Sequence, residues 1–360
     1  MNIRSSSSAK LKRILKMLRR KAVRLLAVPY IIPVVISVVS IVLLLSAVPF
    51  AITHFSDDSS GKADRYGETA PFETVQLPDK VTVYKTDEGK TETVDFEDYI
   101  KGVVSCEMPS SFHKEALKAQ AVAARTYSAA RIIKAENAGN PEAHPSAPLC
   151  DTTHCQVYKN ESELRDSKGR EWMNTGREKI CNAVDDTEGE LLYYNGKLVQ
   201  QALFHSSSGG MTENSEDVFA AAVPYLVSVE SPYEDEATHR NEKTAFSISR
   251  FSDAVKKHYP SEAFGSISAD NIKILSRSKG DHVKKMQVGS ATLTGRQIRE
   301  ALGLSSSDFT IEIDGDTITF TSNGSGHGVG MSQYGADGMA REGYDYKKIL
   351  SHYYSGTEIY

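Results

Sequence analysis

Glu107 follows the apolar pair Val103-Val104 and precedes Met108-Pro109. A carboxylate half-enclosed by apolar groups has its charged form disfavoured, so its pKa rises toward the range useful to a general acid. The competing reading is a solvated glutamate at a helix end. Gln120, Arg125 and Tyr127 follow on the next segment. Arg125 there binds an anionic group or makes a surface ion pair worth little. Two further stretches are rich in serine and glycine: His205-Ser206-Ser207-Ser208-Gly209-Gly210, and Asn323 to Met331 with His327, ahead of Gln333 and Tyr334. The second is no nucleotide loop, because the G-x-G-x-x-G spacing, a following Lys-Ser/Thr and a βαβ context are all missing. Backbone bared by glycine suits a hydroxyl-rich ligand such as a sugar; a tight turn packed under a helix is the alternative. No Ser-His-Asp or Cys-His triad can be read from spacing.

His144, Cys150, His154 and Cys155 fall within twelve positions. Thiolate and imidazole are the ligands of tetrahedral zinc, and four of them close a structural site. The spacing is not that of a standard finger, and a Cys150–Cys155 disulfide or free thiols are the alternatives. Cys106 and Cys181 read as small core residues.

The elements that must position these groups are short. Val81–Tyr84 and Thr91–Val94 flank a turn and predict a hairpin. Phe96, Tyr99, Ile100, Val103 and Val104 recur at helical spacing over 96–105, and Pro109 stops that helix. A second helix is expected from a Ser110-Ser111 cap to about Glu136. Asn195-Gly196 between Glu190–Tyr194 and Lys197–Phe204 predicts a type I′ hairpin. Thr294-x-x-Gln297 and Gly303 bracket a short helix; Phe309–Asp314 and Asp316–Thr321 form another hairpin, and a helix is expected over 331–341. The class is α+β, with antiparallel hairpins and mixed sheet packed with several helices, preceded by a single transmembrane helix.

Among 360 residues, 42 are Lys or Arg and 47 Asp or Glu, for a formal charge of −5. Nine of the cations lie in residues 1–24, so the remainder carries −14. A body that acidic is a poor nucleic-acid binder. Residues 25–52 hold no charged side chain, and about 20 apolar residues cross a bilayer. The expected organisation is a basic cytoplasmic tail (1–24), a membrane helix (25–52), a polar tether (53–78) and an extracytoplasmic catalytic domain (79–360), within which 241–308 is an elaboration with no chemistry assigned. A cleavable signal peptide is the rival to the anchor. Positive charge on the N-terminal side sets the N-terminus in the cytoplasm.

The stretches Cys106-Glu107-Met108-Pro109 with AQAVAARTYS (119–128), CDTTHCQVY (150–158), FHSSSGG (204–210) and GHGVGMSQYGA (326–336) together resemble the stage II sporulation protein D family. The resemblance implies a peptidoglycan lytic transglycosylase acting in forespore engulfment from the mother-cell membrane. Its substrate is the bond between N-acetylmuramic acid and N-acetylglucosamine in peptide-stripped glycan strands, and its catalytic glutamate matches Glu107. It also implies cooperation with stage II sporulation proteins P, an amidase, and M. The serine loop, Tyr127, His327 and Gln333 are expected to line the groove, with one zinc possible and not required for acid/base chemistry. Two other classes compete: a glycan-binding module that stimulates a partner amidase, and a zinc-dependent cell-wall hydrolase.

Overall fold

The chain is described by a computed structural model over residues 72–219 and 221–360. The expected tail, membrane helix and most of the tether lie outside the described residues, among which no helix is long and apolar enough to cross a membrane. The end of the tether is not loose. Phe72 stacks on Tyr360 at 4.7 Å, and Glu73 exchanges hydrogen bonds with Gly196 and Leu198.

Strands β1 (Lys80–Lys85) and β2 (Lys90–Asp95) form the expected antiparallel hairpin. Asp95 caps α1 (Phe96–Glu107) by accepting the Glu97 and Asp98 amides, and the five apolar residues at helical spacing are all buried. Helix α2 (Lys114–Ala138) is capped by the ring of His113, not by the preceding serines. Leu117, Ala121, Val122 and Ala124 are fully buried on different faces, so α2 is a central helix rather than an amphipathic one. Strand β3 (Leu149–Cys150) pairs parallel to β1 and leads to α3 (Glu161–Asp185), which bends at Gly169. Around α2 pack α1, α3 and two C-terminal helices described below.

The Asn195-Gly196 turn forms as expected, with both residues at positive φ, between β4 (Leu192–Tyr194) and β5 (Lys197–Leu198). The second strand of that hairpin is only two residues long, because the chain leaves it and pairs elsewhere as β6 (Phe204–His205). A one-turn helix, α4 (Ser215–Val218), follows.

The segment from β7 to β12 has its own apolar core, built on Phe251, Met286, Ile298, Phe309 and Phe320. It comprises β7 (Glu242–Ser247), α5 (Ile248–His258), β8 (Ile272–Arg277), β9 (Val283–Val288), β10 (Ala291–Leu293), α6 (Gly295–Leu302), β11 (Phe309–Asp314) and β12 (Thr317–Ser322). The elaboration expected over 241–308 therefore runs on to Ser322, since β12 pairs with β7. The Thr294 capping box and the left-handed Gly303 bound α6 as expected.

The chain returns through β13 (Met331–Ser332), parallel to β6, so the helix expected from 331 begins at Gln333 as α7 (Gln333–Arg341), capped by Ser332. Helix α8 (Tyr346–Tyr353) and β14 (Thr357–Ile359), paired with β4, close the fold. The class is α+β, divided among several small sheets.

Arg125 belongs to this framework. Its guanidinium, fully buried in α2, forms a two-pronged ion pair with Glu97 at 2.7 Å and donates to the Val184 and Glu190 carbonyls. It ties α1 to the end of α3 and does not reach a ligand, which corrects its expected place in the groove. Removing one partner of a buried pair strands the other charge, at a cost of about 3–5 kcal/mol. Arg125→Met is thus expected to lower unfolding free energy in urea by that order; a loss under about 1 kcal/mol would contradict the assignment.

Candidate active-site cleft

The end of α1, the middle of α2, the loop before α3, strand β6 and the loop before β13 meet at a cleft of about 420 Å³. Glu107, Tyr127, His154, Cys155, His205 and His327 all line it. Glu107 sits at the last helical position because Met108 is extended ahead of Pro109. Burial pushes its carboxyl above the ordinary pKa, opposed in part by the Val157 N–H, which donates to Oε1 at 3.0 Å, and by the Gln333 amide. Gln333 in turn donates to buried Gln120 at 3.5 Å. Gln120 therefore supports the carboxyl's neighbour without lining the cleft.

No other Asp or Glu lines this cleft among the described residues. A half-enclosed carboxyl held by one amide and one side-chain donor can give and take a proton in turn. Glycosidases that use water or a covalent intermediate need a second carboxylate about 5–9.5 Å away.

The serine loop does something other than expected. Ser208 and Gly209 donate their N–H groups to the carboxylate of Glu234 at 2.9–3.0 Å, and the hydroxyls of Ser208, Ser231 and Ser332 bind it too. Glu234 is 7% exposed and was missed by sequence reasoning, since nothing in its neighbours signals a buried acid. Ser206 accepts the Tyr334 amide at 3.0 Å, and the Tyr334 ring packs on Phe112 at 5.0 Å. Ser207 pairs through its backbone with Ser325. Of the stretch 205–209 only His205 lines the cleft; Ser206, Ser207, Ser208, Gly209 and Tyr334 are not among its lining residues, and Ser207 and Gly209 instead line a separate pocket beside Glu234.

The glycine-rich loop is also largely a packing device. Gly330 has φ +75°, and a Cβ there would stand 2.0 Å from the Leu203 carbonyl oxygen. The loop's backbone lies against protein, which favours the packed turn over a bare sugar platform, although His327 and Gly326 do reach the cleft.

His144, Cys150, His154 and Cys155 come together in the loop between α2 and α3. One ligand atom from each lies within 4.8 Å of all the others. No disulfide joins the two cysteines, and Cys155 Sγ lies 3.4 Å from His144 Nε2. His144 Nδ1 lies 2.8 Å from the Ala147 carbonyl, which fixes the tautomer that leaves Nε2 free to ligate. Two thiolates and two imidazoles suit tetrahedral zinc and leave no open position for water. His154 and Cys155 are also cleft residues, three and two positions from the Val157 amide that holds Glu107.

Three histidines and two acids make stability depend on pH. Burial lowers His205 and His327 to about 3 and His282 to about 4. The unfolded chain takes up protons there below about pH 6.5 that the fold refuses, so stability falls with falling pH. Burial raises Glu213 and Asp308 to about 7. The fold keeps protons that the unfolded acids have already lost, and that contribution disappears as pH rises through about 7. Thermal stability is expected to peak near about pH 6.5, with Glu213→Gln flattening the alkaline limb. A melting temperature rising steadily from about pH 5 to about pH 8 would contradict this balance.

Sequence reasoning also missed Arg131, Phe219 and Arg299 in the cleft lining. Arg131 was within reach, one helical turn beyond Tyr127. Arg299 was not, because its segment carries only helix-capping signals and nothing that points to a site.

A family model described as stage II sporulation protein matches residues 84–194. The stage II sporulation protein D of Bacillus subtilis (strain 168) is 40% identical over 303 residues, 84% of this chain and 83% of that protein. The protein of the same name from Bacillus amyloliquefaciens is 40% identical over 285 residues, 79% of each chain. The amidase enhancer of Bacillus subtilis (strain 168) is 30% identical over 309 residues, 72% of this chain and 40% of its own length. The chain belongs to the stage II sporulation protein D family, a sporulation family related to the amidase enhancer.

Proposed function

We propose that the protein is a peptidoglycan lytic transglycosylase. It cleaves the bond between N-acetylmuramic acid and N-acetylglucosamine in peptide-stripped glycan strands during forespore engulfment. The observation that carries this reading is Glu107 as the one carboxyl among the cleft's described lining residues. A single acid suffices when the substrate supplies its own nucleophile. Glu107 donates its proton to the glycosidic oxygen as the bond to the anomeric carbon breaks. The carboxylate then accepts the proton of the muramic acid's 6-hydroxyl as that oxygen closes on the anomeric carbon, giving a 1,6-anhydro ring. Proton, leaving group and nucleophile balance without water. The raised pKa favours the protonated start, and the Val157 amide and Gln333 steady the carboxylate that follows.

Zinc fits as a structural ion on His144, Cys150, His154 and Cys155, stiffening the loop that carries Val157. A closed shell of four protein ligands counts against a zinc hydrolase. Residues 25–52 are proposed to anchor the chain with its N-terminus in the cytoplasm and the catalytic domain outside. The partners are proposed to be the sporulation amidase, protein P, which strips stem peptides, and protein M. The name of the amidase enhancer supports a second reading, a glycan-binding module that stimulates an amidase.

The test is mass spectrometry of products from peptide-free strands incubated with the full-length chain in detergent. Products ending in 1,6-anhydromuramic acid are expected. Reducing ends would indicate a hydrolase instead, and intact strands that remain bound would indicate the binding module.

A further inference from the structure

The cleft holds two arginines that no carboxylate neutralises. Arg131 projects from α2 with its guanidinium 5.0 Å from the centre of the Tyr127 ring. Arg299 reaches in from α6 of the 242–322 lobe, and its Nε donates to the Ser305 carbonyl at 3.1 Å. Neither makes an ion pair within 4 Å among the described residues, whereas Arg125, Arg277 and Arg296 each face an acid. Burial lowers the Arg299 pKa, with the nearby charge of Glu300 opposing the shift and that of Arg296 adding to it. A guanidinium that lines an open cleft and has no acid paired to it can form charge-assisted hydrogen bonds with an arriving anion.

We infer that Arg299 and Arg131 recognise the lactyl carboxylate of N-acetylmuramic acid, and so select strands whose stem peptides are gone. The inference rests on the proposed glycan substrate. In an intact strand that carboxyl is an amide to the first peptide residue, uncharged and extended by the peptide. Removing the peptide leaves an anion on the same sugar whose 6-hydroxyl must be brought to the anomeric carbon. A guanidinium presents paired donors matched to a carboxylate, and a charge-assisted hydrogen bond of this kind is worth about 1.5–3 kcal/mol, or roughly 10- to 100-fold in affinity. Arg299 then gives the inserted lobe a part in the site: it brings a cation into the same cleft that Glu107 lines. Tyr127 holds Arg131 in place by a cation–π contact.

The experiment uses the full-length Glu107→Gln chain in detergent, so that strands are bound without being cut. Two probes of equal length are compared by calorimetry: peptide-free strands with free lactyl carboxylates, and the same strands converted to lactyl carboxamides. The parent is expected to bind the carboxylate form at least about 10-fold more tightly, with a preference that weakens as salt rises. Arg299→Gln is expected to remove most of the preference and Arg131→Gln part of it, by weakening the carboxylate form more than the carboxamide. Equal binding of the two forms by the parent overturns the inference and leaves the glycan reading standing. So does an arginine variant that loses affinity for both forms alike, which would mark a structural role. Binding of neither form overturns the glycan reading and the inference with it.

Discussion

Replacing Glu107 by glutamine should reduce turnover on peptide-free strands by about 10³-fold or more, while strand affinity and melting temperature stay near wild type. General acid–base groups contribute about 10²–10⁴-fold, and in the proposed reaction one carboxyl serves both halves. Glutamine keeps the shape and can still accept the Val157 N–H through its carbonyl, so folding is spared. The pH profile gives a second readout. Bond breaking needs the protonated acid, and burial has moved its pKa upward. The rate should therefore decline on the alkaline side of a pKa above the usual carboxylate range. Turnover by Glu107→Gln at wild-type rate would remove Glu107 from the chemistry. An alkaline limb at an ordinary carboxylate pKa would contradict its enclosure.

Loss of the proposed zinc should be the other large effect. Purified full-length chain is expected to carry one zinc, measured by elemental analysis, and Cys150→Ser to lose it. His144 is buried and Cys155 half-buried, so without the ion two thiols and two imidazoles are left crowded within 4.8 Å of one another. The loop from His144 to Val157 should loosen, and with it the amide that holds Glu107. Loss of groups that orient an active site in this way typically costs about 10- to 100-fold. The expected signature is a lower melting temperature together with weaker turnover, both restored by zinc after chelation of the wild type. Complete loss of turnover with unchanged melting temperature would point to a metal that takes part in bond cleavage. No change in either would remove zinc from the account.

The place of Glu107 at a helix end was legible from sequence, because apolar residues at helical spacing bury one face of α1 and Pro109, two positions beyond Glu107, stops it; its candidacy as the acid came from the family resemblance. The Cys/His cluster was legible as a set of ligand types, but sequence spacing left zinc and a disulfide both open. The β1–β3 pairing and the loop's fold bring four ligand atoms together and decide the geometry.

The hairpins over 80–95 and 309–322, the Asn195-Gly196 turn and the capped helix α6 were all written in the sequence, since turn and cap chemistry acts over three or four residues. What depended on partners far along the chain was not. Arg125 and the serine loop looked like ligand-binding groups because polar residues in a motif carry no mark of which way they face. Only the fold shows Arg125 satisfied by Glu97, 28 positions away, and the loop satisfied by Glu234 and Ser332. Arg299 is the converse case, an unmarked residue carried to the cleft by a lobe with its own core. Sequence determined the clustered Cys and His types and the local elements, because short-range sterics and chemistry suffice for those, and it offered Glu107 as a candidate acid through the family resemblance. Tertiary structure alone decided which polar groups are already satisfied within the fold and which are left for a substrate, because that depends on burial and on partners brought together from distant segments.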